Sequence, residues 1–189
     1  MTLKPLTALL FTLGLANTAY AADVYKLDPE HTFVSFSYKH QNYSIQTSRF
    51  DHVSGTVTLD AANSSGSIDT IIDMKSVSTG STVFNQRIQE DDFFATDQFP
   101  TASFKSEKIS FTKDAITEVE GNLTIKGISK PVTLEMTNFF CSRSLLTFKY
   151  TCGANALTHV NRSDFDMGKY APFIGDEITI GIAIEASRD

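Results

Sequence analysis

Apolar and polar residues alternate along most of this chain. Val34, Phe36 and Tyr38 alternate with Ser35 and Ser37. The same rhythm runs through Val53, Gly55, Val57 and Leu59, and through Val119, Gly121, Leu123 and Ile125. It returns in Val132, Leu134 and Met136, and in Ile178, Ile180, Ile182 and Ile184. A period of two predicts β-strands with one buried face and one wet face. Antiparallel sheets carry this pattern, whereas buried parallel strands are apolar throughout. Segments 67–74, 103–111 and 145–150 bring the expected number of strands to about eight.

Turn chemistry separates these runs. Asn63-Ser64-Ser65-Gly66 reads as a loop. Lys126-Gly127 reads as a tight hairpin turn, with Gly127 free to take positive φ, and Ser129-Lys130-Pro131 leads into the next strand. One stretch, 81–94, breaks the rhythm with Val83, Phe84, Ile88, Phe93 and Phe94 set among polar residues. Ser81 or Thr82 is placed to cap a short helix there, and Asp91-Asp92 to end it or begin a turn. The expectation is one or two helical turns at the mouth of a β structure. Eight strands with one apolar face each form either a solid two-sheet sandwich or a closed barrel around a ligand, and periodicity does not choose between them. Fifteen Phe and six Tyr suit either a core or a long apolar slot.

Residues 1–21 have the layout of a secretory signal peptide: Lys4, a short apolar run, then Ala19-Tyr20-Ala21 as a small-x-small cleavage site. The run is shorter than the roughly 20 apolar residues a bilayer span needs. Removing 21 of 189 residues leaves 168, enough for one domain over residues 22–189. The leader carries one lysine and no acid, so the net charge moves from −6 to −7. Without a Lys/Arg cluster, nucleic-acid binding is disfavoured, because phosphate neutralisation supplies most of that affinity. The overall acidity also argues against simple adsorption to anionic lipid headgroups, and no segment calls for stable membrane insertion. The two cysteines, Cys141 and Cys152, are expected to pair in an oxidising compartment, stabilising the fold by roughly 3 kcal/mol.

Catalytic signals are weak. The four histidines, His31, His40, His52 and His159, have no zinc-ligand spacing, and no metal is expected. His31 follows Asp28-Pro29-Glu30, which suits a turn contact better than a catalytic base. His40 shares the parity of Val34, Phe36 and Tyr38, which would place it at the rim of an interior as a hydrogen-bond donor. There is no nucleophile elbow, phosphate loop or dinucleotide fingerprint. The residues therefore name no catalytic site and no cofactor.

Four segments in order carry a family resemblance. The first is Tyr25-Lys26-Leu27-Asp28-Pro29-Glu30-His31-Thr32, followed by Phe36, His40, Phe50 and Gly55. The second is Asp92-Phe93-Phe94, then Phe99-Pro100-Thr101-Ala102-Ser103-Phe104-Lys105-Ser106. The third runs from Val119-Glu120-Gly121-Asn122 through Lys126-Gly127 to Lys130-Pro131-Val132, and the fourth is Asn161-Arg162-Ser163-Asp164-Phe165-Asp166-Met167. Together they resemble the YceI-like, polyisoprenoid-binding proteins over essentially the whole mature chain.

The resemblance implies an all-β, extended antiparallel lipocalin-like barrel enclosing a deep apolar channel, rather than a sandwich. It implies a binding protein, not an enzyme, whose ligand is an isoprenoid lipid of the quinone or polyprenyl phosphate class. It also implies a periplasmic location for members with a leader, and homodimers are common in the family. Inward parity then makes Phe36, Tyr38, Val57, Leu123, Ile125, Leu134, Met136, Ile180 and Ile182 candidate channel lining. Phe93, Phe94, Phe99 and Phe104 are candidates near the helix and opening, and His40 and Arg162 are the polar candidates for a headgroup. The chain departs from the family pattern twice. Asn85-Gln86-Arg87-Ile88 stands where relatives carry an Arg-Asp-x-His-Leu-like run, and Asp166 stands where a Gly is expected.

Overall fold

The computed structural model describes residues 22–60, 62–112 and 115–188. The expected leader lies outside the described residues. The chain forms β1 (Asp23–Leu27), β2 (Phe33–His40), β3 (Ser44–Phe50), β4 (Val53–Asp60), β5 (Ser65–Asp73) and β6 (Val77–Ser78). A short helix α1 (Thr82–Arg87) follows, then β7 (Thr101–Phe111), β8 (Ile116–Ile125), β9 (Ile128–Arg143), β10 (Tyr150–Asn161) and β11 (Ile174–Arg188).

All the pairings are antiparallel, and they resolve into eight long strands. β1 and β2 lie end to end along β11, with Leu27 opposite Ala186 and Phe33 opposite Ala183. β4 and β3 continue one another beside them, with Lys26 opposite Thr56 and Val34 opposite Phe50. β5 and β6 do the same against β4 and β3. The three long strands are interrupted at one level: at residues 28–32, at Asp51 and His52, and at the 3₁₀ turn Met74–Ser76. Crossing hydrogen bonds hold that level together, from Asp51 N to Ser76 O at 3.2 Å and from Asp73 N to His52 O at 3.0 Å. The strand order then runs through β5, β7, β8, β9, β10 and β11, and β11 pairs back to β1. The result is a closed eight-stranded antiparallel barrel. Closure removes the sheet edges that an open sheet would expose.

Local chemistry explains the elements. Lys126 and Gly127 both have positive φ, at 50° and 73°, which makes a type I′ turn and joins Ile125 to Ile128 directly. Ser81 caps α1 by accepting the Phe84 amide at 3.3 Å. The helix ends at Arg87, before Asp91-Asp92, and lies at one end of the barrel. The expected strand over 145–150 is not one. Residues 145–147 form a turn, β9 runs on to Arg143 and β10 starts at Tyr150. Leu146, Phe148 and Tyr150 alternate with Thr147 and Lys149 as in a strand, but Ser144 turns the chain there by accepting the Leu146 and Thr147 amides. Cys141 and Cys152 face each other across β9 and β10 and form a disulfide.

Inward residues make one interior, with Phe36, Phe50, Phe104, Val119, Leu123 and Leu134 buried and the β11 isoleucines partly buried against them. Gly121 shows how tightly its wall is built. A Cβ there would sit 2.4 Å from the Lys105 carbonyl oxygen and 2.6 Å from the Phe104 ring. Gly121→Ala should therefore destabilise the fold by about 1–3 kcal/mol, read from the denaturant midpoint. An unchanged midpoint would mean the Phe104 ring has room to move.

Candidate functional site

The inward side chains do not meet across the barrel axis. They enclose a single elongated cavity of about 210 Å³. By the same measure one water needs roughly 10–15 Å³, so the space is a channel and not a packing fault. It extends from Tyr25, Leu59 and Phe139 near one end to Phe93, Phe165 and Met167 near the helix end. Its walls are almost entirely hydrocarbon and aromatic.

The structure brings most of the sequence candidates to this cavity. Phe36, Tyr38, Val57, Leu123, Ile125, Leu134, Met136, Ile180 and Ile182 line it, as do Phe93, Phe94, Phe104 and Arg162. Two candidates lie elsewhere. His40 is half-buried at the end of β2, opposite Ile174 and Ser44, and is not among the lining residues. Phe99 packs its ring beside Gly127, 3.4 Å from where a Cβ would stand, outside the cavity. The alternation extrapolates His40 one step past the point where the β11 register shifts, between Ile174 and Ile178, so parity no longer fixes its direction. Phe99 follows a turn, where alternation carries no information. His31 is exposed and bonds Asp28 at 2.8 Å, the turn contact expected of it.

Several lining residues escaped the sequence reading, among them Tyr25, Phe50, Met74, Phe139, Thr158 and Phe165. Phe50 ends a strand whose other residues are mostly polar. Thr158 faces inward from a strand in which small and polar residues dilute the alternation. Only their neighbours in the sheet reveal them: Thr158 lies opposite Ile180, which lies opposite Phe36.

The helix end is packed by aromatics and held by charge. Phe94, from the segment after α1, meets Phe36 at 5.8 Å and Phe50 at 5.3 Å between ring centroids. Such contacts add about 0.5–1.5 kcal/mol per pair beyond burial. Arg162 is buried at the cavity wall. Its guanidinium donates to the carbonyls of Gly175 at 3.0 Å, Lys169 at 2.8 Å, Ile174 at 3.0 Å and Met167. Burial pushes its pKa down, with Asp176 opposing. Arg162 thus pins segment 167–175 to the barrel. Asp166, the departure from Gly, sits at φ 55°, the left-handed position for which glycine is favoured and which Asp tolerates.

A second link crosses the same end. The Asp92 carboxylate accepts from Lys169 Nζ at 2.7 Å, Tyr170 Oη at 2.7 Å and Arg87 Nη2 at 3.2 Å. Arg87, part of the other departure, also donates to Tyr170 at 2.9 Å and lies over the Phe93 ring. Together these join α1 and its following turn to segment 167–175. The hydrogen bonds from Lys169 and Tyr170 hold the Asp92 pKa down, at about 2.

Four hydroxyl side chains stand in the lining, those of Tyr25, Tyr38, Thr70 and Thr158; Thr70 donates to Phe104 O at 3.4 Å, and Arg188 lies over the Tyr25 ring. Tyr38 is 8% exposed and Thr158 6%, and both line the cavity. Among the described residues neither hydroxyl has a hydrogen-bond partner, and burial raises the Tyr38 pKa. A ligand that offers an acceptor would supply each hydroxyl with a partner.

The comparisons with known proteins agree with this geometry. The family model described as a YceI-like domain matches residues 25–186. A UPF0312 protein of Yersinia enterocolitica is 31% identical over 96% of this chain and 93% of its own length. Protein YceI of Salmonella newport is 37% identical over 69% of this chain and 67% of its own. The crystal structure of Burkholderia cenocepacia BcnA superposes with a TM-score of 0.72 at 26% identity, over 84% of this chain and 98% of that one. A polyisoprenoid binding domain from Saccharophagus degradans shares the fold, with a TM-score of 0.66 at 18% identity over 87% of this chain and 98% of that one.

The Asp92 link has a pH signature. Its folded pKa lies below the ordinary 3.8, so its contribution is complete above about pH 4 and disappears as pH falls through about 2. Asp92→Asn should lower the melting temperature at pH 7 and flatten the loss of stability between about pH 4 and pH 2. An acid transition unchanged in the variant would remove Asp92 as its source.

Proposed function

This chain belongs to the YceI-like family, and on that premise we propose that its barrel carries one long isoprenoid or comparable amphiphilic lipid through the periplasm. The channel carries the reading: a closed eight-stranded wall around an elongated apolar space. An isoprenoid tail is insoluble in water, and burying its surface contributes about 25 cal/mol per Å². That gain offsets the ordering of a flexible tail within the slot. The Saccharophagus degradans domain with the same fold is described as polyisoprenoid-binding. The expected leader, residues 1–21, supports export, and no helix among the described residues is long and apolar enough to cross a membrane.

The polar groups narrow the ligand class. Arg162 spends its hydrogen bonds on four backbone carbonyls. Among the lining hydroxyls, those of Tyr38 and Thr158 have no protein partner among the described residues. A neutral carbonyl head of the quinone class suits them. A polyprenyl phosphate would keep its charge outside, because an unpaired anion in an apolar channel is heavily penalised.

Organic extraction of protein made in an exporting bacterial host, followed by mass spectrometry, should yield one recurring isoprenoid. A clean extract from that protein would overturn the reading. Ala156 is buried on β10 and faces the channel. Ala156→Phe fills the channel from within, so retained lipid should fall about tenfold or more while the melting temperature holds within about 5 °C. Tyr38→Phe should lower affinity for a quinone about tenfold through the lost hydrogen bond, leaving affinity for a hydrocarbon analogue unchanged. Equal losses for both would assign Tyr38 a packing role alone.

A further inference from the structure

We propose that the turn between β9 and β10 is a membrane-docking tip that inserts into the interface of an anionic lipid bilayer. The inference goes beyond lipid carriage and rests on the outside of the barrel, not on the channel. Leu145 and Leu146 are 89% and 92% exposed, and Phe148 and Phe140 are 70% and 65% exposed on the same hairpin. An apolar cluster presented this way marks a contact surface.

The turn extends past the wall: β10 pairs with β11 as far as Tyr150 opposite Arg188, and residues 144–149 lie beyond. Pairing of β9 with β8 ends at Glu135 opposite Glu118, while β9 continues to Arg143 against β10 alone. The disulfide between Cys141 and Cys152 ties the two strands together just below the turn. The tip is thus held out as one unit.

Charge selects the partner. The whole chain has a net charge of −6, which disfavours uniform adsorption to anionic lipid. The tip departs from that average. Between Glu135 and Asp164 there is no acidic residue, while Arg143 and Lys149 flank the exposed leucines. Exposed apolar side chains set between two basic residues suit a bilayer whose headgroups are negative.

The backbone at the tip is also prepared for a dry setting. Ser144 Oγ accepts the amides of Leu146 at 3.3 Å and Thr147 at 3.2 Å. Ser144 O accepts Phe148 N at 3.0 Å, and Ser144 N donates to Lys149 O at 2.8 Å. Arg143 donates to Phe148 O at 3.1 Å. Amides with internal partners enter the interface without losing bonds to water. The location suits transfer as well: Phe139 lines the channel while its neighbour Phe140 faces outward. The tip therefore brings one end of the channel against the lipid.

Flotation of the mature protein with vesicles tests the proposal. Vesicles of phosphatidylethanolamine and phosphatidylglycerol should bind it about tenfold more tightly than phosphatidylcholine vesicles at low salt. Raising salt from about 0.05 M to about 0.5 M should remove most of that preference. Leu145→Ser with Leu146→Ser should reduce binding about tenfold or more, with circular dichroism and melting temperature unchanged. Binding that survives this double substitution overturns the proposal, as does equal binding to both vesicle types. A monomer–dimer shift in the double variant without vesicle binding in the parent also overturns it, and assigns the tip to self-association. Extractable lipid is scored separately, so an empty channel with intact flotation defeats carriage and leaves docking standing.

Discussion

Closure of the sheet through β11 is the constraint on which the rest of the molecule depends. Its 15 residues bond β10 along one edge and β2, then β1, along the other. Once that seam forms, eight strands enclose a cylinder, and inward side chains are held at a distance set by backbone hydrogen bonds. They cannot collapse onto the axis without breaking the ladder. The interior stays partly unfilled, although apolar groups would otherwise close-pack. The isoleucines of β11, Ile178, Ile180, Ile182 and Ile184, therefore both seal the barrel and wall its channel.

The two ends of the cylinder are built from different interactions. At the helix end, Phe94 meets Phe36 and Phe50, Arg162 gathers backbone carbonyls, and Asp92 joins the turn after α1 to Lys169 and Tyr170. Arg162 is a buried cation held by four backbone carbonyls, with the Asp176 carboxylate also favouring its charge. Its role is therefore to shape a loop, and the channel keeps neutral donors. At the other end, the turn of a disulfide-tied hairpin extends past the wall with leucines in the open. One end is ordered by polar bonds made inward, and the other presents apolar groups outward.

These assignments share a physical logic. An unfilled apolar channel has little affinity for water, and the Tyr38 and Thr158 hydroxyls in its lining have no protein partner among the described residues. An exposed leucine pair beside basic residues is equally unsatisfied in an acidic aqueous surface. The proposed lipid would meet each condition, with its tail and carbonyl inside the barrel and a bilayer outside. The departures from the family pattern fit the same frame. Asp166 occupies a left-handed backbone position, and Arg87 takes part in the Asp92 network.

The sequence by itself determined the strongly alternating strands and their inward faces, because alternation is local and side chains on a pleated strand must point to opposite sides; β1, β3 and β10 were not legible in it. Phe36, Leu123, Leu134 and Ile180 were legible for that reason, as were the Lys126-Gly127 turn and the Ser81 cap. The cysteine pair was legible from its count and expected compartment. Barrel over sandwich was not in the periodicity and came from resemblance, since both architectures bury the same faces. Tertiary structure alone decided that the leucines at 145 and 146 form a projecting turn and not a strand. It also decided that His40 and Phe99 lie off the channel, and that Arg162 clamps a loop. Each of these depends on a register shift, a chain reversal or a distant carbonyl. Such features arise when strands far apart in sequence become neighbours, and no local pattern encodes them.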